Sequence, residues 1–165
     1  MPKEVRRANI NDVVNIMPLL SSVTQLHSDN REDIFRNPTL HYSESEIKSF
    51  IANDGLNIFV ATSETDEITG VLLCKIRVEH NHCVLLDSKT LWIEDTCVNQ
   101  SYRKKGYGKM LLDFAKKFAE DSGCSRMELN VWSFNKNAHD FYANQGMNEQ
   151  RHVMEYIFEL TDKGV

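Results

Sequence analysis

Apolar positions along the chain switch between a helical and a strand period several times, and the switches predict an alternating series of elements. Glu4 to Ala8 reads as a short first strand, and Asn11 as the N-cap of a helix with Val13, Val14, Ile16, Met17 and Leu20 on its inner face. Pro18 is expected to kink that helix or split it. From Ser21 to Tyr42 the period fades, with Leu26, Ile34 and Phe35 as apolar anchors in a polar stretch. That stretch reads as a helical segment and loop, either a plain connector or a lid. Ser43 and Glu46 form a capping box for a helix through Ile47, Phe50 and Ile51 that stops at Gly55. Leu56 to Thr62 and Ile68 to Glu79 are β-prone runs joined by a polar turn, which predicts an antiparallel hairpin that Cys83 to Leu86 extends.

Leu91 to Val98 is the next strand pattern, with Leu91, Ile93 and Val98 as β-formers and Trp92, Glu94, Asp95 and Thr96 set between them. After it comes the most regular helix, with Tyr107, Leu111, Phe114, Ala115 and Phe118 on one face and Gly123 at its end. Met127, Leu129 and Val131 alternate with polar positions as a strand parallel to the preceding one across the helical crossover. Asn135 caps a helix carrying Ala138, Phe141 and Tyr142 and ending at Gly146, and Val153 to Leu160 reads as a last strand. The expected class is α/β with a sheet of mixed direction. No linker, repeat or low-complexity segment interrupts it, so residues 1–165 are expected to form a single domain.

A chain of 165 residues with 41% hydrophobic and 26% charged residues has the composition of a globular domain with a sizeable core. A formal net charge of −5, with no long basic stripe, argues against nucleic acid as a partner and suits a cationic small molecule. No apolar run approaches the roughly 20 residues that span a bilayer, so no membrane partner is expected. Cys74, Cys83, Cys97 and Cys124 lack metal-ligand spacing and follow no signal peptide, which predicts free thiols in a reducing cytoplasm. Cys97 is expected to pack rather than act as a nucleophile. His80 and His82 read as a hairpin tip, and no metal is expected.

The chemistry is concentrated where the strand ending at Val98 meets the following helix. Arg103, Lys104, Lys105, Gly106, Tyr107 and Gly108 form a basic, glycine-spaced loop that feeds a helix N-terminus. Unpaired amides and the helix dipole make such a terminus an anion site, and glycine lets a phosphate approach the backbone. The lysine and hydroxyl of a P-loop are missing, and so is the third glycine of a dinucleotide fingerprint. A nucleotide binder is therefore the lesser reading. The spacing of Arg103, Gly106 and Gly108 instead resembles the acetyl-CoA signature of the GNAT superfamily of N-acetyltransferases. Asn135, Ala138, Phe141, Tyr142 and Gly146 are spaced as in that superfamily's second motif, with Met147 where phenylalanine is usual.

The resemblance covers about Ile68 to the end, and it implies a mostly antiparallel, twisted sheet flanked by helices and splayed at the central strands. It also implies acetyl-CoA as co-substrate. Cys97 and Val98 would pair with the pantetheine arm through their backbone, Lys104 to Lys109 would surround the pyrophosphate, and Asn135 and Ala138 would lie against the cofactor. Tyr142 would protonate the leaving thiolate, since a phenol with an ordinary pKa of about 10 is protonated at neutral pH. An attacking amine must lose a proton, and Glu94 is the expected base or amine binder. Asp95 would lie on the opposite strand face and brace the backbone. The acceptor would be a small-molecule primary amine, with a protein amino group or a non-catalytic acyl-CoA module as alternatives. Family habit adds a possible homodimer.

Overall fold

The computed structural model describes residues 3–36, 40–53 and 55–158. They fall into two compact units, residues 1–130 and residues 131–165.

The first unit is built on a five-stranded sheet in the order β1-β2-β3-β4-β5. Its strands are β1 (Glu4–Arg7), β2 (Asn57–Thr62), β3 (Ile68–Glu79), β4 (Ser88–Val98) and β5 (Arg126–Glu128). The first three ladders are antiparallel and β4 pairs with β5 in parallel, so the sheet is mixed and mostly antiparallel. The parallel pair is joined through helix α3 (Tyr107–Asp121), as a parallel connection requires. Ile58 and Val60 point into the core beneath α1 (Val13–Asn30) and α2 (Glu44–Asn53), with Ile16, Leu20, Ile47, Val71 and Leu73. Phe59, on the other face, meets Phe114 and Phe118 of α3 at ring-centroid distances of 4.7 and 5.1 Å. The inner face of α3 also includes the fully buried Leu112.

Several boundaries differ from the sequence reading. Asn9 rather than Asn11 is the cap, and it opens a short 3-10 turn, Ile10–Asp12. Asn9 accepts from the Asn11 amide, and Asp12 accepts from the Asn9 amide and from Nη1 and Nη2 of Arg6. Helix α1 runs through Pro18 without a break to Asn30. The partner that Pro18 denies is the carbonyl of Val14, a residue exposed enough for water to replace it. The Ser43–Glu46 capping box forms as expected, with the Ser43 amide donating to Glu46 Oε2 at 2.7 Å. Val84, Leu85 and Leu86 do not extend the hairpin. Polar side chains hold that connection, His80 against Asp87 and His82 accepting from the amides of Val84 and Leu85.

In the second unit, α4 (Lys136–Asn144) is capped by Asn135, whose side chain accepts from the Ala138 amide at 3.2 Å. The expected last strand is absent over Val153–Phe158, which belongs to no ladder, while Leu160 lies outside the described residues. β-propensity without a partner strand does not make a strand.

Candidate functional site

One extra residue shapes β4. Leu73 lies opposite Asp95 on the β3–β4 ladder, but the next residue, Cys74, lies opposite Ile93. Glu94 is therefore a β-bulge, and the alternation that would have put Glu94 and Asp95 on opposite faces fails. Leu73, Lys75 and Arg77 alternate along β3 and share the face that α1 and α2 cover. Glu94 reaches that face, where its Oε1 is ion-paired with Lys75 and lies 3.9 Å from Arg77 Nη2. Arg77 in turn lies over the Trp92 ring, its Cζ 3.6 Å from the centroid. Asp95 is on the same face by its pairing with Leu73, so the bulge aims two adjacent carboxylates to one side.

The two carboxylates have different surroundings. The Asp95 side chain is only 10% exposed, and its Oδ2 is 3.6 Å from His41 Nδ1. Among the described residues that oxygen accepts no hydrogen bond, and neither does Glu94 Oε1, which has its ion pairs instead. Burial pushes the Asp95 carboxyl up to about 6, with His41 pulling it down and Glu94 adding to the rise. Tyr42 stacks on His41 at 4.2 Å and meets Phe50 edge-on. Burial, then the charges of Asp95 and Glu94, push its phenol up to about 12, so it is neutral at physiological pH. His41 and Tyr42 carried no sequence signal as site residues, since they lie in the stretch without a period.

Among the described residues, the ladder on the β5 side of β4 covers only the near half of the strand. β5 pairs only with Thr90, Leu91 and Trp92, whereas β3 follows β4 as far as Val98. From Ile93 to Val98 the strand has no β5 partner, because β5 ends at Glu128. The chain then turns through a 3-10 segment, Gln100–Tyr102, and Arg103 Nε donates back to the Val98 carbonyl at 3.3 Å. Lys104 has φ 59° and Gly106 φ 91°, so the loop twice enters the left-handed region before α3 begins. Gly106 is the N-cap and supplies no side-chain acceptor, and the first intrahelical bond runs from the Met110 amide to the Gly106 carbonyl. The amides of Tyr107, Gly108 and Lys109 precede that bond and have no helical acceptor. Arg103, Lys104 and Lys105 are exposed around them, Lys105 lying over the Tyr102 ring, while Lys109 is turned along the helix to Asp113.

Cys97 is buried, and its Sγ lies 3.4 Å from Ser22 Oγ. Burial pushes its thiol up against the pull of Ser22 and Arg103, which is the setting of a packed thiol rather than a nucleophile. Gly70, opposite Val98, also went unmarked in the sequence, although a Cβ there would meet the Cys97 carbonyl. In the second unit, Tyr142 is half-buried on α4 with the Phe141 ring 5.1 Å away. Its carbonyl accepts from the amides of Gln145 and Met147, which closes the helix.

A profile of the Acetyltransferase (GNAT) family matches residues 20–147. The chain belongs to this family. It is 30% identical over 120 residues to an uncharacterized N-acetyltransferase of Lactobacillus delbrueckii, a match covering 73% of this chain and 66% of that protein. It is 38% identical over 66 residues to an L-ornithine N5-acetyltransferase of Arabidopsis thaliana, covering 40% of this chain and 29% of that protein. The matches thus span about two thirds or less of these relatives. A mutant form of a Bacillus halodurans protein superposes with a TM-score of 0.89 at 24% identity, covering 94% of this chain and 99% of that structure, and so shares the GNAT fold.

Proposed function

We propose that this GNAT protein moves the acetyl group of acetyl-CoA directly to a primary amine of a small molecule. The observation that carries this reading is that the half of β4 without a β5 ladder runs into the N-terminus of α3, which has no side-chain cap. That edge would offer backbone to an amide-bearing arm, and the amides after Gly106 suit a pyrophosphate. These residues fit acetyl-CoA: Cys97 and Val98 would bind the arm, Arg103 to Lys109 the phosphates, and Asn135 and Ala138 another part of the cofactor. The acidic pair on the α1/α2 face suits a cationic acceptor, and the Arabidopsis relative is named for an amino-acid acceptor.

In the reaction the amine nitrogen gives up a proton, its lone pair adds to the thioester carbonyl carbon, and the carbon–sulfur bond breaks. Tyr142 gives its phenolic proton to the departing thiolate. A carboxylate of the Glu94–Asp95 pair receives the acceptor, Glu94 being the base expected from sequence. Cys74, Cys83, Cys97 and Cys124 are free thiols, which supports a reducing, cytoplasmic setting. A thiol-release assay with acetyl-CoA against polyamines, amino acids, amino sugars and a lysine peptide tests the proposal. Release with a small amine supports it. Release only with the peptide, or saturable acetyl-CoA binding without release for any amine, overturns it.

A further inference from the structure

We propose that the Thr96 hydroxyl holds the pantetheine arm of acetyl-CoA through a side-chain hydrogen bond on the α3 face of β4. The inference rests on the acetyl-CoA reading and adds to it, since the contacts assigned to Cys97 and Val98 are made by backbone alone. Among the described residues, three side-chain atoms are enclosed without a hydrogen-bond partner: Glu94 Oε1, Asp95 Oδ2 and Thr96 Oγ1, all on consecutive residues of β4. The two carboxylates lie beside basic groups, Glu94 beside Lys75 and Arg77 and Asp95 beside His41. A hydroxyl forms no ion pair, so Thr96 Oγ1 has nothing equivalent to answer it.

Register separates Thr96 from the acidic pair. Thr96 lies opposite Leu72 and Val98 opposite Gly70, with no bulge between the two rungs, so the Thr96 and Val98 side chains share a face. A Cβ built on Gly70 meets Val98 Cγ2 and Leu111 Cδ1 of α3, which identifies that face as the α3 side. Asp95 and Cys97, the neighbours of Thr96 in sequence, are turned to the α1/α2 side with Leu73 and Val71. Thr96 also falls in the half of β4 that has no β5 ladder, on the stretch that leads to the N-terminus of α3.

An arm lying along that half as an added strand would set its in-plane amides against the backbone of β4. Side chains directly opposite on one face of paired strands have Cβ atoms about 4.5–5.5 Å apart, so a polar group leaving the arm on the α3 side comes within reach of a threonine hydroxyl. A hydroxyl both donates and accepts, which suits an arm carrying amides and a hydroxyl of its own. Thr96 is only partly covered as a residue, and rotation about χ1 lets the oxygen turn toward a ligand. In the free protein the enclosed hydroxyl has lost water and gained no partner, a penalty that the arm relieves. Removing the hydroxyl alone should therefore move two quantities in opposite directions, the stability of the free protein and its hold on the arm.

Calorimetric titration of the full chain with acetyl-CoA, CoA and adenosine bisphosphate, which lacks the arm, tests the proposal in Thr96→Val and Thr96→Ser. Thr96→Val keeps the branched shape and should weaken acetyl-CoA and CoA by about three- to tenfold, the worth of a neutral hydrogen bond, with adenosine bisphosphate unchanged. Its thermal midpoint without ligand should equal or exceed the parent's. Thr96→Ser keeps the hydroxyl and should bind all three ligands as the parent does. Unchanged acetyl-CoA affinity in Thr96→Val overturns the contact. So does a loss shared by adenosine bisphosphate or joined to a lowered midpoint, which would make Thr96 a packing residue. A loss in Thr96→Ser as large as that in Thr96→Val overturns it too. Thiol release separates this inference from the activity. Parental release with undiminished arm binding in Thr96→Val overturns the contact alone, whereas arm binding through Thr96 without release for any amine overturns the transfer alone.

Discussion

Gly70 of β3 lies so close to Cys97 of β4 that a Cβ built on the glycine would come within 2.9 Å of the Cys97 carbonyl oxygen. The same Cβ would meet Leu111 Cδ1 of α3 at 3.0 Å. The glycine therefore sets how closely the helix after the basic loop sits on the strand before it. Gly70→Ala should destabilise the protein by about 1–3 kcal/mol, the usual cost of overpacking. Urea unfolding measures this, and an unchanged midpoint would show that the strand shifts without cost.

The N-terminus of α3 can be probed at its two glycines. Gly106 has φ 91° and nothing within 4 Å of a built Cβ, so Gly106→Ala should act through backbone strain alone, at about 1–2 kcal/mol. Gly108 is inside the first turn of α3, and Gly108→Val should weaken acetyl-CoA binding more than about tenfold by obstructing the approach to the amides. Calorimetry on the folded variant decides; unchanged affinity removes this loop from the cofactor site.

Tyr142→Phe keeps the ring beside Phe141 and removes only the phenolic proton. Turnover should fall by about 10²- to 10⁴-fold with acetyl-CoA affinity little changed, measured where chemistry limits the rate. Turnover within about twofold of the parent would assign Tyr142 to packing.

Asp12 ties the start of α1 to β1 through Arg6 and the Asn9 amide. Burial works to raise its carboxyl pKa, but the Arg6 guanidinium and the Asn9 amide overcome it and hold the carboxyl below 3.8. A carboxylate lowered on folding contributes stability that is present above its unfolded value and lost as pH falls through the folded one. Unfolding free energy should therefore decline below about pH 4, in part through this group. Asp12→Asn should flatten that part of the profile. A parallel decline in both proteins would give the acid sensitivity to other carboxylates.

Interactions between near neighbours were legible in the chain itself. The Ser43–Glu46 capping box, the Asn135 cap, the inner face of α3 and the glycine-spaced loop all depend on residues within a turn or two of each other. Their geometry follows from local sterics and hydrogen bonding, which amino-acid type largely sets. Tertiary structure decided the rest. Glu94 and Asp95 share a face because the register of β3 absorbs one residue of β4, and no pattern within β4 encodes its partner's register. His41 comes within 3.6 Å of Asp95 only through tertiary packing. The β-prone run after Val153 pairs with no strand through Phe158, and α1 continues through Pro18, because the outcome depends on what lies alongside. Sequence fixes what a segment prefers, but packing between distant segments sets the face, register and charge environment that make a side chain part of a site.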